Sequence, residues 1–198
     1  MRTRPTSTLM AAALCVAAAL PCGAARAELV LPRPSPNASV KQTVGTTDLT
    51  LTYSRPGVKD RLIWGGLVPF DKPWRTGAND ATTFTTTDSI TVAGQKLAAG
   101  SYSVLTLPTP GDWTVIFSSQ KDLSGSTNYD PKQDVLRVTA KPDTNQAHQE
   151  WMALGFDDLT PTSCNVVLRW QRLRLAVPLA VDVNARVLAN CRTEIAAA

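Results

Sequence analysis

An unbroken alternation of apolar residues near the C-terminus constrains the fold of this chain more than any other feature. In the stretch LRLAVPLAVDV, every second residue is apolar. These residues are Leu173, Leu175, Val177, Leu179, Val181 and Val183. Successive side chains of a β-strand point to opposite faces, whereas a helix would distribute these positions around its circumference. The stretch therefore predicts a strand with one buried face, and Pro178 on the other face predicts an edge strand or a bulge.

The same period of two recurs along most of the chain. It is clear in TDLTLTYS, DWTVIFS and CNVVLRW. Further strands are predicted at residues 40–44, 82–87, 90–93, 101–107, 134–140 and 149–156. Segments rich in Gly, Pro, Asn and Asp separate them, such as RPG, PTPGD and KPDTN. Many short strands between turns predict an all-β domain over residues 40–183. Its architecture is an antiparallel β-sandwich, with a jelly roll as one form of it.

The N-terminus has the features of an export signal. Two arginines precede the apolar run at residues 9–20, which is too short to span a bilayer. The sequence ARA at 25–27 has the small-x-small pattern after which a signal peptidase cleaves. We therefore predict a signal peptide over 1–27 and a proline-rich lead-in over 28–39. The mature chain is then periplasmic or secreted, without a transmembrane segment. The alternative for the same apolar run is a membrane anchor.

The charge of the chain argues against a nucleic-acid partner. The whole sequence has 20 Lys and Arg residues against 16 Asp and Glu residues. Three of the arginines, and none of the acidic residues, lie in the predicted signal, which leaves 17 basic against 16 acidic residues. A surface that binds nucleic acid needs clustered surplus positive charge. The mature chain has no such cluster, so we predict no nucleic-acid partner.

Two of the four cysteines lie in the predicted signal, which leaves Cys164 and Cys191. In an oxidising compartment an even pair is a disulfide candidate, and this bond would contribute about 3 kcal/mol to stability. Alternatively, Cys164 is a small buried apolar residue in a strand. The sequence leaves both interpretations open.

In the tail 184–198, Val187, Leu188 and Cys191 lie at helical spacing, which favours a short helix there.

Two long motifs of unusual composition stand out: YSRP at 53–56 and WRTGAN at 74–79. With these motifs, the sequence from about 36 to 183 closely resembles a bacterial exported family catalogued as domain of unknown function 2911. The resemblance implies an exported, β-rich domain. It implies no activity and no cofactor. The chain has Asp80 where the family usually has Glu and Ser118 where it often has Asn, so any site at these positions differs in reach or specificity.

The same segment contains the best candidates for a ligand site. Arg55, Arg61 and Arg75 lie in loop-like stretches near Trp64 and Trp74. Guanidinium groups present planar donors suited to carboxylate or phosphate, and indole faces stack flat ligands or sugar rings. The candidate ligand-binding residues are Arg55, Trp64, Trp74, Arg75, Asn79 and Asp80. We predict a non-catalytic binding or interaction module whose ligand is a glycan, a small polar anion or an envelope protein.

Two other functions use the same residues. A hydrolase would use Asp80 or Glu150 as general base, with arginine stabilising developing charge. A purely structural envelope domain would pair the arginines internally, with a positive φ at Gly77 and Asn79 capping a turn. His148 and Glu150 would share a strand face, but His148 is the only histidine and a metal site needs further ligands. We therefore predict no metal and no cofactor.

Overall fold

Antiparallel β-structure dominates the part of the chain that the computed structural model describes, residues 31–197 without 122, 124, 125 and 127. The predicted signal peptide and the first residues of the lead-in lie outside the described residues. The strands in this part are β1 (Asn37–Val44), β2 (Thr47–Ser54), β3 (Thr82–Thr86), β4 (Ile90–Val92), β5 (Gln95–Leu97), β6 (Gly100–Leu107), β7 (Trp113–Ser118), β8 (Asp134–Ala140), β9 (Gln149–Asp157), β10 (Ser163–Gln171) and β11 (Leu173–Val181). A 3-10 turn covers Pro131–Gln133, and helix α1 covers Val183–Ala197.

The strands form two sheets. One has six strands in the order β1-β2-β3-β6-β7-β8, and the other has five in the order β5-β4-β11-β10-β9. Every pairing is antiparallel. Apolar residues from both sheets form one buried cluster between them. The prediction of an all-β antiparallel sandwich is confirmed.

The apolar row of β11 lies in this core. Leu173, Leu175, Val177, Leu179 and Val181 are all buried, while the residues between them are half-buried or exposed. The sheet geometry predicted from the alternation is therefore observed from Leu173 to Val181, whereas Val183, the last residue of the predicted row, begins α1 and is half-buried. Within the described residues, no helix is long and apolar enough to cross a membrane.

The prediction of an edge strand or a bulge at Pro178 was wrong for β11 as a whole, because β11 lies between β4 and β10 with continuous register on the β10 side. However, β4 pairs only with residues 179–181. The carbonyl group of Pro178 accepts a hydrogen bond from Ala93 N at 2.8 Å, on the β4 side of the strand. The proline nitrogen faces the same side, beyond the end of β4, so its missing N–H removes no ladder hydrogen bond.

Both cysteines of the predicted disulfide are free thiols. Cys164 is buried on β10 within the core, whereas Cys191 is exposed on α1. The bond is not formed because one side chain points into the sandwich and the other into solvent. Burial raises the pKa of the Cys164 thiol to about 11, so it stays protonated at neutral pH. The interpretation of Cys164 as a small buried apolar residue is the one that fits.

Candidate functional site

The connection between β2 and β3, residues 55–81, is held by both sheets. At its start, Pro56 O accepts from Met152 N at 2.9 Å and Val58 N donates to Glu150 O at 2.9 Å, which joins it to β9. Near its end, Trp74 exchanges two backbone hydrogen bonds of 2.8 Å with Thr106 of β6. The connection therefore bridges the two layers of the sandwich. These anchors hold the arginines and tryptophans of the candidate site in place.

The backbone of this connection contains several residues in the left-handed region. Five non-glycine residues have positive φ: Lys59, Asp60, Asp71, Thr76 and Asn79. Thr76 is the most unusual, because β-branched side chains rarely adopt this conformation and it is also buried. Its φ is 54°, and its hydroxyl lies 3.4 Å from Trp74 O and from Thr106 Oγ1. Backbone of this kind is retained where surrounding contacts over-determine it, and it concentrates at functional sites.

Gly77 does not have the positive φ expected for it; the neighbouring Thr76 and Asn79 do. Glycine is needed at this position for a different reason: the backbone of residue 77 lies close to other atoms of the domain. A Cβ atom on Gly77 would lie 3.1 Å from Ser54 O and 3.2 Å from Thr82 Oγ1. The loop can pack against the ends of β2 and β3 because this residue has no side chain.

Four of the five tryptophans form one cluster. Trp64 meets Trp74, Trp113 and Trp170 edge to face, with ring centroids 5.8, 4.9 and 5.6 Å away. Trp74 and Trp170 stack at 5.8 Å with 22° between their planes. The Trp64 indole nitrogen is buried and has no hydrogen-bond partner among the described residues. Trp64 is half-buried and packs against the core through these ring contacts.

A cavity of about 180 Å³ lies over the stacked pair Trp74 and Trp170. It is lined by Ser35, Pro56, Arg61, Leu67, Val68, Trp74, Arg75, Gly77, Ala78 and Trp170. The lining draws on the lead-in, the β2–β3 connection and β10. It contains two arginines and no acidic residue among the residues that the structure describes.

The two arginines of the cavity differ in their contacts. Arg61 donates from Nε to Val58 O at 3.1 Å and from Nη2 to Gly57 O at 2.6 Å, so two of its nitrogen atoms support the loop. The Arg75 side chain is half-buried and has no hydrogen bond or ion pair with any described residue. Its Nε is inaccessible to solvent and unpartnered. Buried polar groups are nearly always paired, so Arg75 is an exception that calls for an explanation.

The structure brings some of the predicted site residues together and separates others. Trp74 and Arg75 line the cavity. Arg55 does not, because its Nε donates to Met152 O at 2.8 Å and supports β9. Asp80 is exposed, and its side chain contacts none of the polar or charged groups in the described residues. Trp64 packs against Trp74 and Trp170 but does not line the cavity, so two of the six predicted residues line it.

Asn79 holds the lead-in against the domain. Its Nδ2 donates to Ser35 O and to Ser54 Oγ, both at 3.2 Å. Ser54 Oγ in turn donates to Asn37 Oδ1 at 2.8 Å, and Arg55 N donates to Pro36 O at 2.8 Å. The lead-in therefore forms one wall of the cavity through Ser35. Its proline-rich composition suggested an extended segment, but not this docking.

Glu150, one of the two carboxylates proposed as a general base, lies outside the cavity lining. Glu150 accepts from Lys59 N at 3.0 Å, and this hydrogen bond, with a smaller contribution from His148, lowers the pKa of its carboxyl group. His148 Nε2 lies 3.4 Å from Glu150 Oε2, and both side chains are about half exposed. No group of three or more His, Cys, Asp or Glu residues in the described part of the chain is arranged to hold a metal ion.

Trp170 and Leu67 line the cavity but were not among the predicted site residues. Trp170 lies on the buried face of β10, where its sequence pattern cannot be distinguished from that of a core residue. Leu67 lies in WGGL, an irregular stretch without periodicity. The only sequence signal for Leu67 is its nearness to Trp64, and this signal does not define a pocket.

The described residues thus form a two-sheet antiparallel β-sandwich with a cavity lined by arginine and tryptophan. The chain belongs to the family described as protein of unknown function (DUF2911), which matches residues 35–179. This match confirms the family predicted from the YSRP and WRTGAN motifs, and both motifs lie within it. A search of curated proteins and a search of solved structures found no match.

Proposed function

We propose that this protein is an exported, non-catalytic module that binds a small anion in the cavity formed by Arg61, Arg75 and Trp74. One observation carries the proposal. The Arg75 side chain lines the cavity, is half-buried, and has no partner among the described residues. A guanidinium nitrogen removed from water without an acceptor is costly, and Nε of Arg75 is such an atom. A bound anion supplies an acceptor and a counter-charge.

The charge around the cavity supports an anion over other ligands. Arg61 keeps its Nη1 free while its other nitrogen atoms hold the loop, so both arginines have donors to offer. A larger depression of about 450 Å³ lies between β4 and α1, but its charged lining is balanced: Asp88 pairs with Arg186 at 3.0 Å, and Lys96 and Asp182 carry opposite charges. Uncompensated positive charge is therefore a feature of the Arg75 cavity.

The hydrolase alternative receives less support. Asp80 and Glu150 both lie outside the cavity lining. A general base that works near neutral pH usually has a raised carboxyl pKa, whereas the pKa of Glu150 is lowered. A purely structural role accounts for Arg55 and Asn79, which hold backbone groups. It does not account for Arg75.

Replacing Arg75 tests the proposal. We expect the purified protein to bind at least one of two probes, sulfate or isobutyrate, by isothermal titration calorimetry at constant ionic strength. Arg75→Ala should weaken that binding about 10- to 100-fold, because hydrogen bonds to charged groups contribute about 1.5–3 kcal/mol. Its thermal stability should change little, since the side chain has no described partner to lose.

Arg172→Ala is the matched control for charge. Arg172 is exposed and lies outside the cavity lining, so its removal changes the net charge equally but should leave binding unchanged. The proposal fails if neither probe binds to the unmodified protein, or if Arg75→Ala binds as tightly as Arg172→Ala does.

The proposal also includes export of the chain. We expect the intact mass of the protein recovered outside the cytoplasm of a bacterial host to correspond to a chain that begins at Glu28. This follows from the cleavage pattern at residues 25–27. A recovered mass that retains Met1 would contradict the predicted cleavage, as would retention of the whole product in the cytoplasm.

A further inference from the structure

The hydrogen-bond donors of the cavity come from few side chains. The arginines Arg75 and Arg61 and the hydroxyl of Ser35 are the polar side chains among the lining residues, apart from the two indoles. The indole nitrogen of Trp74 donates to Gly77 O at 3.0 Å, and that of Trp170 donates to a backbone carbonyl of β9 at 3.3 Å. Both rings therefore offer carbon surface to the cavity. The ligand must accept hydrogen bonds mainly from guanidinium groups.

The rest of the lining is apolar. Pro56, Leu67, Val68 and Ala78 add aliphatic surface to that of the two indoles. Sulfate and phosphate carry oxygen atoms in every direction, and oxygen atoms placed against carbon surface lose hydration without gaining a partner. An anion with one charged end and one apolar end avoids this cost. Because the proposed function already requires an anion here, we infer that the ligand is a carboxylate attached to a small apolar group.

The geometry and size of the cavity agree with this class of ligand. A guanidinium group matches a planar carboxylate through two parallel hydrogen bonds. A volume of about 180 Å³ corresponds to about six water molecules at about 30 Å³ each. The apolar part is therefore a short alkyl group or a single ring. A carboxylate next to a short apolar group occurs both in free organic acids and at the C-terminus of a peptide that ends in an aliphatic residue.

Three probes of similar size separate the charge from the apolar part. Isobutyrate has both, isobutyramide keeps the shape without the charge, and sulfate keeps the charge without the apolar group. By calorimetry on the purified protein at constant ionic strength, isobutyrate should bind at least about tenfold more tightly than either of the others. Tenfold corresponds to about 1.4 kcal/mol. A charged hydrogen bond, which isobutyramide lacks, contributes more than this, and about two buried methyl groups, which sulfate lacks, contribute about as much.

Leu67→Ser tests the apolar wall separately. Leu67 lines the cavity and is 46% exposed, so its replacement should not prevent folding. The variant should weaken isobutyrate binding about fourfold, the effect of about one buried methylene group, and leave sulfate binding unchanged. Leu159→Ser is the control, because Leu159 is similarly exposed but does not line the cavity.

The outcomes distinguish this inference from the proposed function. If sulfate binds as tightly as isobutyrate, or if Leu67→Ser leaves isobutyrate binding unchanged, the inference is wrong while the anion site remains. If no probe binds, both are wrong. The peptide Gly-Gly-Val, with a free or an amidated C-terminus, identifies the source of the carboxylate. If the free form binds and the amidated form does not, the carboxylate belongs to a peptide terminus. If isobutyrate binds and neither peptide does, it belongs to a free organic acid.

Discussion

Replacing Trp113 with alanine should lower the free energy of unfolding by about 3–5 kcal/mol, the usual cost of removing a buried aromatic side chain. Trp113 is 1% exposed, packs 4.9 Å from Trp64, and donates its indole hydrogen to Thr109 O at 3.1 Å. The change would leave a large void in the core beside Trp64 and remove a hydrogen bond from Thr109. Edge-to-face ring contacts add to the loss from burial alone.

Urea unfolding followed by far-ultraviolet circular dichroism measures this effect without relying on tryptophan fluorescence. Trp151→Ala is the matched control, because Trp151 is 38% exposed and lies outside the cluster. We expect it to lower the free energy of unfolding by about 1–2 kcal/mol, less than Trp113→Ala, because the ring is partly exposed and contacts Lys59, whose Nζ lies 5.7 Å from its centroid. A loss below about 1 kcal/mol for Trp113→Ala would show that the cluster does not stabilise the domain as its packing indicates.

Most of the fold could be predicted from the sequence because one face of almost every strand is buried. Where that condition holds, as in β2 and β11, a period of two is visible and the strand is found. The short strand β5 was missed because Gln95 and Lys96 are exposed, and only Leu97 is buried. Pro178 was misjudged because its position depends on where β4 ends, which is set by pairing and not by the sequence of β11.

The candidate site was predicted only in part. Arg55 and Arg75 lie in similar motifs, each next to residues that restrict the backbone. The Arg55 side chain donates a hydrogen bond to Met152 O, whereas the Arg75 side chain has no partner among the described residues. That difference depends on which backbone groups of β9 come within reach. Trp64 and Trp170 differ in another way, since Trp170 is buried in the core and also lines the cavity, whereas Trp64 is half-buried and does not line it.

Gly66→Ala should destabilise the protein by about 1–3 kcal/mol, as overpacking at a site that cannot relax usually does. A Cβ atom on Gly66 would lie 2.5 Å from Leu62 O. That carbonyl oxygen already accepts from Leu67 N at 2.9 Å, so the clash and the hydrogen bond involve the same atom. Relief of the clash must shift the backbone of residues 62–68. Because Leu67 and Val68 line the cavity, the binding of anions should weaken in the same variant.

Gly111→Ala makes the same chemical change where there is room for it. The nearest atom to a Cβ on Gly111 is Thr109 Oγ1 at 3.8 Å, an ordinary contact, and neither Gly111 nor Gly66 has a positive φ. Reduced freedom of the unfolded chain should then make Gly111→Ala neutral or stabilising by up to about 1 kcal/mol. The unfolding curve of Gly66→Ala should therefore shift to lower urea concentration, and that of Gly111→Ala should stay in place or shift to higher urea concentration. Equal stability of both variants would show that the 62–68 turn relaxes freely, and that it does not hold Leu67 and Val68 in fixed positions in the cavity wall.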